Sequence, residues 1–143
     1  MLHRIITAAF VGMVAFALVA DAQEAKDDKA IHGKWSATKD GKTISFTYDK
    51  GKFKVEIEDK LIEGTYVGDG TKTPKHVDMT ITGGTDDIAV KYTGKTSKAI
   101  YQIDGDSMKL LAPEPGSDDR PTAFPQEGEQ TRHMFVTLTR AKK

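Results

Sequence analysis

From Gly33 onward, apolar and polar residues alternate with a period of two. Thr43–Asp49 (TISFTYD) places Ile44, Phe46 and Tyr48 on one face and Thr43, Ser45 and Thr47 on the other. Phe53–Asp59 repeats the pattern, with Phe53, Val55 and Ile57 against Lys54, Glu56 and Glu58. Such alternation predicts antiparallel strands with one buried and one wet face. Further strands are expected at Lys34–Thr38, Leu61–Val67, His76–Thr82, Ile88–Tyr92, Lys98–Ile103, Ser107–Ala112 and Thr131–Arg140. Turn residues separate the runs at Asp40-Gly41, Lys50-Gly51, Asp59-Lys60, Gly83-Gly84 and Asp104-Gly105. The Asp-Gly pairs suit tight hairpins, because glycine takes a positive φ without a Cβ clash. No stretch shows the spacing of an amphipathic helix. Strands about ten residues apart with short turns form a meander, and a meander hides its edges by closing. The expectation is an all-β, up-and-down antiparallel β-barrel of eight or nine strands, with a two-sheet sandwich as the alternative.

Two segments lie outside this rhythm. Met1-Leu2-His3-Arg4 is a short basic start to the uncharged run Ile5–Val19, and Ala20-Asp21-Ala22 supplies the small-x-small pattern read by signal peptidase. Residues 1–22 are therefore expected to be a signal peptide cleaved before Gln23. A membrane anchor is the competing reading, but the 15-residue run falls short of the roughly 20 residues a spanning helix needs. Residues 23–32, opening with the charged QEAKDDKA, read as a flexible leader, which leaves 33–143 as one domain. The second segment, Ala112–Gln130, holds four of the five prolines and should carry no long strand. Long ordered loops often serve as lids, and Phe124 is the apolar residue that can pin this one to the body.

Charge and composition mainly exclude. The chain has 21 Lys+Arg and 21 Asp+Glu. Removing Arg4 and Asp21 with the signal peptide keeps the balance at zero, unlike a protein built for the nucleic-acid backbone. There is no Cys, which excludes disulfides, Cys-ligated zinc, thiol catalysis and an acylated lipoprotein terminus. About 120 residues can bury some two thirds of their unfolded surface, so an exported domain of this size needs no cross-link. The mature protein is expected in the periplasm or outside the cell, as a monomer, free of the membrane.

Gly33-Lys34-Trp35 opens the first strand, and Val136-Thr137-Leu138-Thr139-Arg140 closes the last. Lipocalins and their relatives share a Gly-x-Trp at this place, and many lay a late Arg across the indole. An indole can plug the closed end of a barrel, and a guanidinium can lie on its face. A closer likeness runs from about Gly33 to Arg140. Its residues are Glu63-Gly64-Thr65-Tyr66, Thr71-Lys72-Thr73-Pro74-Lys75-His76-Val77-Asp78-Met79-Thr80, Ile100–Leu110 (IYQIDGDSMKL) and Arg120-Pro121-Thr122-Ala123-Phe124. Together these resemble an uncharacterised lipocalin-like domain family of exported bacterial proteins, abundant in planctomycetes. The resemblance implies a small lipocalin-like barrel and no particular reaction.

Catalytic and metal-binding patterns are sparse. His76 and Asp78 share a strand face, but zinc needs three or four ligands. Asp104-Gly105-Asp106, Asp86-Asp87 and Asp118-Asp119 lack the ligand spacing of a calcium loop. There is no nucleophile elbow, phosphate loop or dinucleotide-binding glycine pattern, and Glu56 and Glu58 face water rather than a catalytic pocket. The expectation is a non-enzyme without cofactor or metal. Inward residues Ile44, Phe46, Val55 and Ile57 are expected to line a small-molecule site, with Tyr48 and Tyr101 adding hydroxyls, near the Ala112–Gln130 loop. Trp35 and Arg140 are expected to close the other end. The alternative is a filled barrel that works through its outer surface as an envelope interaction or inhibitor module, since an eight-stranded interior is just wide enough for either arrangement.

Overall fold

The computed structural model describes residues 28–141; the expected signal peptide, 1–22, and the expected cleavage before Gln23 lie outside them. Eight strands run in chain order: β1 (Gly33–Lys39), β2 (Lys42–Asp49), β3 (Lys52–Ile57), β4 (Lys60–Asp69), β5 (Lys75–Gly84), β6 (Thr96–Asp104), β7 (Ser107–Ala112) and β8 (Met134–Arg140). Each is antiparallel to its neighbours, and β8 returns to β1 through the pairs Trp35↔Arg140 and Ser36↔Thr139, giving a closed barrel. The ladder has no free edge.

Local chemistry explains the meander. Asp40 and Gly41 have φ of 55° and 79°, and Lys50 and Gly51 have 48° and 82°, the two-positive-φ turns whose twist matches a hairpin. The turn after β3 sits at Glu58-Asp59 rather than Asp59-Lys60, with Glu58 at φ 57°. At Gly64 the β4–β5 ladder shifts register. A Cβ there would lie 2.0 Å from the Thr80 carbonyl oxygen and 2.5 Å from the Phe53 ring, so the absent side chain is what lets the Phe53 ring lie across β4.

One expected strand is a helix. Residues Asp87–Tyr92 form α1 between β5 and β6, so the barrel has eight strands, not nine. The Asp86 side chain accepts from the Ile88 amide at 2.8 Å and caps the N-terminus. Asp87 in the first turn and Lys91 in the last suit the helix dipole. Ala89 is buried, its Cβ 2.9 Å from where a Gly84 side chain would begin, whereas Val90 is 72% exposed. Gly94, at φ 86°, turns the chain back, and its amide donates to the Ile81 carbonyl at 2.7 Å.

The two barrel ends differ. The N-terminal residues, the β2–β3, β4–β5 and β6–β7 connections and the end of β8 share one end, which is sealed. From Asp28 the expected flexible leader is instead part of the barrel. Lys29–Ile31 is a 3₁₀ turn, Ile31 is fully buried, and its carbonyl accepts from Trp35 Nε1 at 2.9 Å. The Asp28 carboxylate takes hydrogen bonds from Lys75 Nζ at 2.7 Å and the Tyr101 hydroxyl at 3.1 Å. Burial alone would raise its pKa, but the bonds from Lys75 and the Ala30 amide, the Lys75 charge and Tyr101 together hold it below the ordinary carboxylate value. Arg140 completes the plug: its guanidinium carbon lies 4.1 Å from the Trp35 ring centroid. Its two terminal nitrogens donate to the His32 and Ala30 carbonyls at 2.9 and 2.8 Å. Gly33, at φ 117°, has no Cβ to press on Arg140, which would stand 3.1 Å away.

Candidate functional site: an apolar cavity at the open end

The other end gathers the β1–β2 and β3–β4 turns, α1 and the long β7–β8 connection, and it is open. Behind it lies a cavity of about 350 Å³. Its wall is the inward face of the strands: Ile44 and Phe46 from β2, Phe53, Val55 and Ile57 from β3, Ile62 from β4, Met79 and Ile81 from β5. Ile88 and Tyr92 of α1, Ala112 through Pro115, Arg132 and Met134 form the mouth. Ile88 and Tyr92 stand four residues apart, so one helix face presents both.

Of the six residues expected to line a site, Ile44, Phe46, Val55 and Ile57 do line the cavity. Tyr48 and Tyr101 do not reach it, which corrects the expectation of pocket hydroxyls. Tyr48 lies deeper, stacked 6.3 Å from Phe46 at 14° and edge-on to Tyr66 at 5.1 Å. Its hydroxyl donates to Met79 Sδ at 3.3 Å, inside the core. Burial, with the nearby Tyr66, pushes its pKa far up and keeps it neutral. Tyr101 points further down, to Asp28 at the sealed end. The aromatic layer of Trp35, Tyr48, Tyr66 and Tyr101 thus fills one half of the barrel, and the cavity occupies the other.

The Ala112–Gln130 loop divides its work. Its first residues close part of the mouth, pinned where Ser97 Oγ donates to the Pro113 carbonyl at 2.8 Å and the Gly116 amide donates to the Thr96 carbonyl at 2.9 Å. The rest is no lid, because its bonds lead down the outer wall. Arg120 bridges the outward Asp78 and the Ala99 carbonyl, and Lys98 meets Asp118 at 3.4 Å. Phe124 packs on Phe135 of β8, ring centroids 6.1 Å apart. His76, beside this strap, is held below its ordinary pKa by burial and by the charges of Arg120 and Lys72.

Residues that pattern reading did not select for the site are Phe53, Ile62, Met79, Ile81, the α1 face, Ser97, Pro113–Pro115, Arg132 and Met134. Ile62, Met79 and Ile81 carry the same inward period as Val55 and are recoverable by extending the count through β4 and β5. Arg132 and Pro113–Pro115 have no periodic signal. Among the described residues, no group of three or more His, Asp or Glu is placed to hold a metal. Asp86 is engaged as a helix cap, Asp104 ends β6, and Asp106 lies in the β6–β7 turn.

The fold is therefore that of a small up-and-down barrel with one sealed and one open end, and the candidate site is its apolar interior. No protein-family model matches the chain, and no curated protein or solved structure matches it either.

Proposed function

We propose that the protein is an exported, lipocalin-like binding protein that holds a small, mostly apolar molecule in the open half of its barrel. The observation carrying this reading is the cavity of about 350 Å³ walled by branched aliphatic and aromatic side chains. At ~30 Å³ per water it has room for about a dozen molecules of water or a ligand of similar heavy-atom count. It also lies within the size range of small-molecule sites. An apolar guest gains by removing these walls from water.

Displacement of a fluorescent apolar probe, with native mass spectrometry of protein prepared from its own host, tests the reading. Ala112→Phe and Ile57→Trp place bulk in the cavity from opposite walls. Both should abolish probe binding while the far-UV spectrum stays that of the barrel. Undiminished binding in both variants, or a wild-type protein that admits no probe and carries no small molecule, would overturn it and turn attention to the outer surface. Export rests on Ile5–Val19 and Ala20-Asp21-Ala22. The secreted or periplasmic species should have an intact mass beginning at Gln23; a mass retaining Ile5–Val19 contradicts export by cleavage.

A further inference from the structure

We infer that the molecule held in the cavity is a single-tailed amphiphile with an anionic head, a carboxylate, and that Arg132 receives the head at the mouth. The inference rests on the cavity reading above and adds the ligand's chemistry. The walls beyond the mouth offer nothing for a charged group, and an unpaired charge among them is costly, so any charged head must stay at the rim. There Arg132 lines the opening, is exposed, and makes no hydrogen bond or ion pair with the described residues. Glu114, also at the rim, already accepts a hydrogen bond from the Tyr92 hydroxyl and is not ion-paired with Arg132.

Two further cations stand near the same rim. Lys91 Nζ lies 5.2 Å from the centre of the Tyr92 ring, which itself lines the cavity. The Lys95 side chain packs at Gly116, 3.1 Å from where a Cβ there would stand. Asp86, which caps α1, Asp87 in its first turn and Glu114 balance Arg132, Lys91 and Lys95 in number, so the sign of the head is set by Arg132, the cation that lines the cavity, and not by a net charge about the opening. A guanidinium offers a planar pair of donors matched to a carboxylate. The tail would run past Ile88 and Met134 toward Phe46 and Met79.

A series with one tail and three heads, decanoate, decanol and decylammonium, decides it on the wild-type protein by probe displacement at low salt, below micelle concentrations. Decanoate should bind about 3–10-fold more tightly than decanol, the range of a charge pair at a partly wet rim, with decylammonium weakest. Arg132→Gln should bring decanoate affinity down to that of decanol measured on the same variant, a head-group-selective loss that a merely structural role for Arg132 would not produce. Decanoate and decanol binding equally, or decylammonium binding best, overturns the anionic head while the cavity reading stands. Failure of all three heads to bind removes both.

Discussion

The sealed end makes a quantitative prediction about Trp35 and Arg140. Replacing Trp35 with Leu keeps apolar bulk but removes the π face and the indole donor. The Ile31 carbonyl, now accepting at 2.9 Å in a buried position, loses its partner. Lost packing together with a stranded acceptor should cost about 3 kcal/mol, a large share of the ~5–15 kcal/mol that stabilises a domain. Arg140→Ala removes the cation from the ring, about 0.5–2 kcal/mol, and two hydrogen bonds to carbonyls at ~0.5–1.5 kcal/mol each. The Asp106 contact, 3.7 Å to a carboxylate 84% exposed, adds little. The single change should therefore cost about 2–3 kcal/mol. The double variant should cost less than the two single ones together, by ~1 kcal/mol, because the cation–π contact is lost only once. Trp35 is the only tryptophan, so urea unfolding must be followed by far-UV circular dichroism rather than fluorescence. Arg140→Lys supplies a control: an ammonium retains charge over the ring but cannot span the His32 and Ala30 carbonyls as the fork does. Additivity within ~0.3–0.5 kcal/mol would refute an energetic contact between the two side chains.

Other outcomes follow from single contacts. Gly64→Ala should destabilise by about 1–3 kcal/mol or more through overpacking, since the new methyl meets the Thr80 carbonyl and the Phe53 ring; a neutral melting shift contradicts it. Asp28 has a lowered pKa in the folded state, so its contribution to stability is complete above the unfolded value and is lost as pH falls through the folded one. Wild-type stability should drop below about pH 4, and the curve for Asp28→Asn should be flatter there. Arg120→Ala removes one of the charges that hold His76 low, so the His76 titration followed by NMR should move upward. An unmoved titration would mean that the strap does not lie beside His76 in solution.

Most of the strands were legible because their outward residues are polar; on β6 and β7, Ile100 and Leu111 break the alternation by being buried as well. Thr43–Asp49 and Phe53–Ile57 alternate cleanly, and the Asp40-Gly41 and Lys50-Gly51 turns punctuate them. The error at Ile88–Tyr92 has a specific cause. Ile88, Val90 and Tyr92 fit a period of two, while Ile88, Ala89 and Tyr92 fit a helical face. Six residues are too few for periodicity alone to choose. The end signals do choose: Asp86 before the segment, Lys91 in its last turn and Gly94 after it are a helix start and stop, and Val90 is the residue turned to water. The site was half legible for another reason. Inward residues read alike whether they face a cavity or a packed core, so Ile44 and Tyr48 look equivalent on β2. What separates them is height along the barrel axis, which depends on which end is plugged. Asp28 was misjudged in the same way, because a charged leader carries no mark of the Lys75 and Tyr101 that meet it from 47 and 73 residues away.

That vertical separation accounts for how a barrel without disulfides can afford an unfilled half. The sealed end is tied by a dense set of polar contacts: Trp35 to Ile31 locally, and across the chain Arg140 to His32 and Ala30, Asp28 to Lys75 and Tyr101, with Tyr48 to Met79 above them. The open end is held by the strand ladders, by α1 capped through Asp86, and by Ser97 and Gly94. Ile88 and Met134 at the mouth remain 45% and 42% exposed, so substitutions there remove little buried surface from the fold. Stability and accessibility are thus assigned to opposite ends of one meander. Changes at Arg132, Ile88 or Met134 should alter what enters the barrel far more than whether it folds.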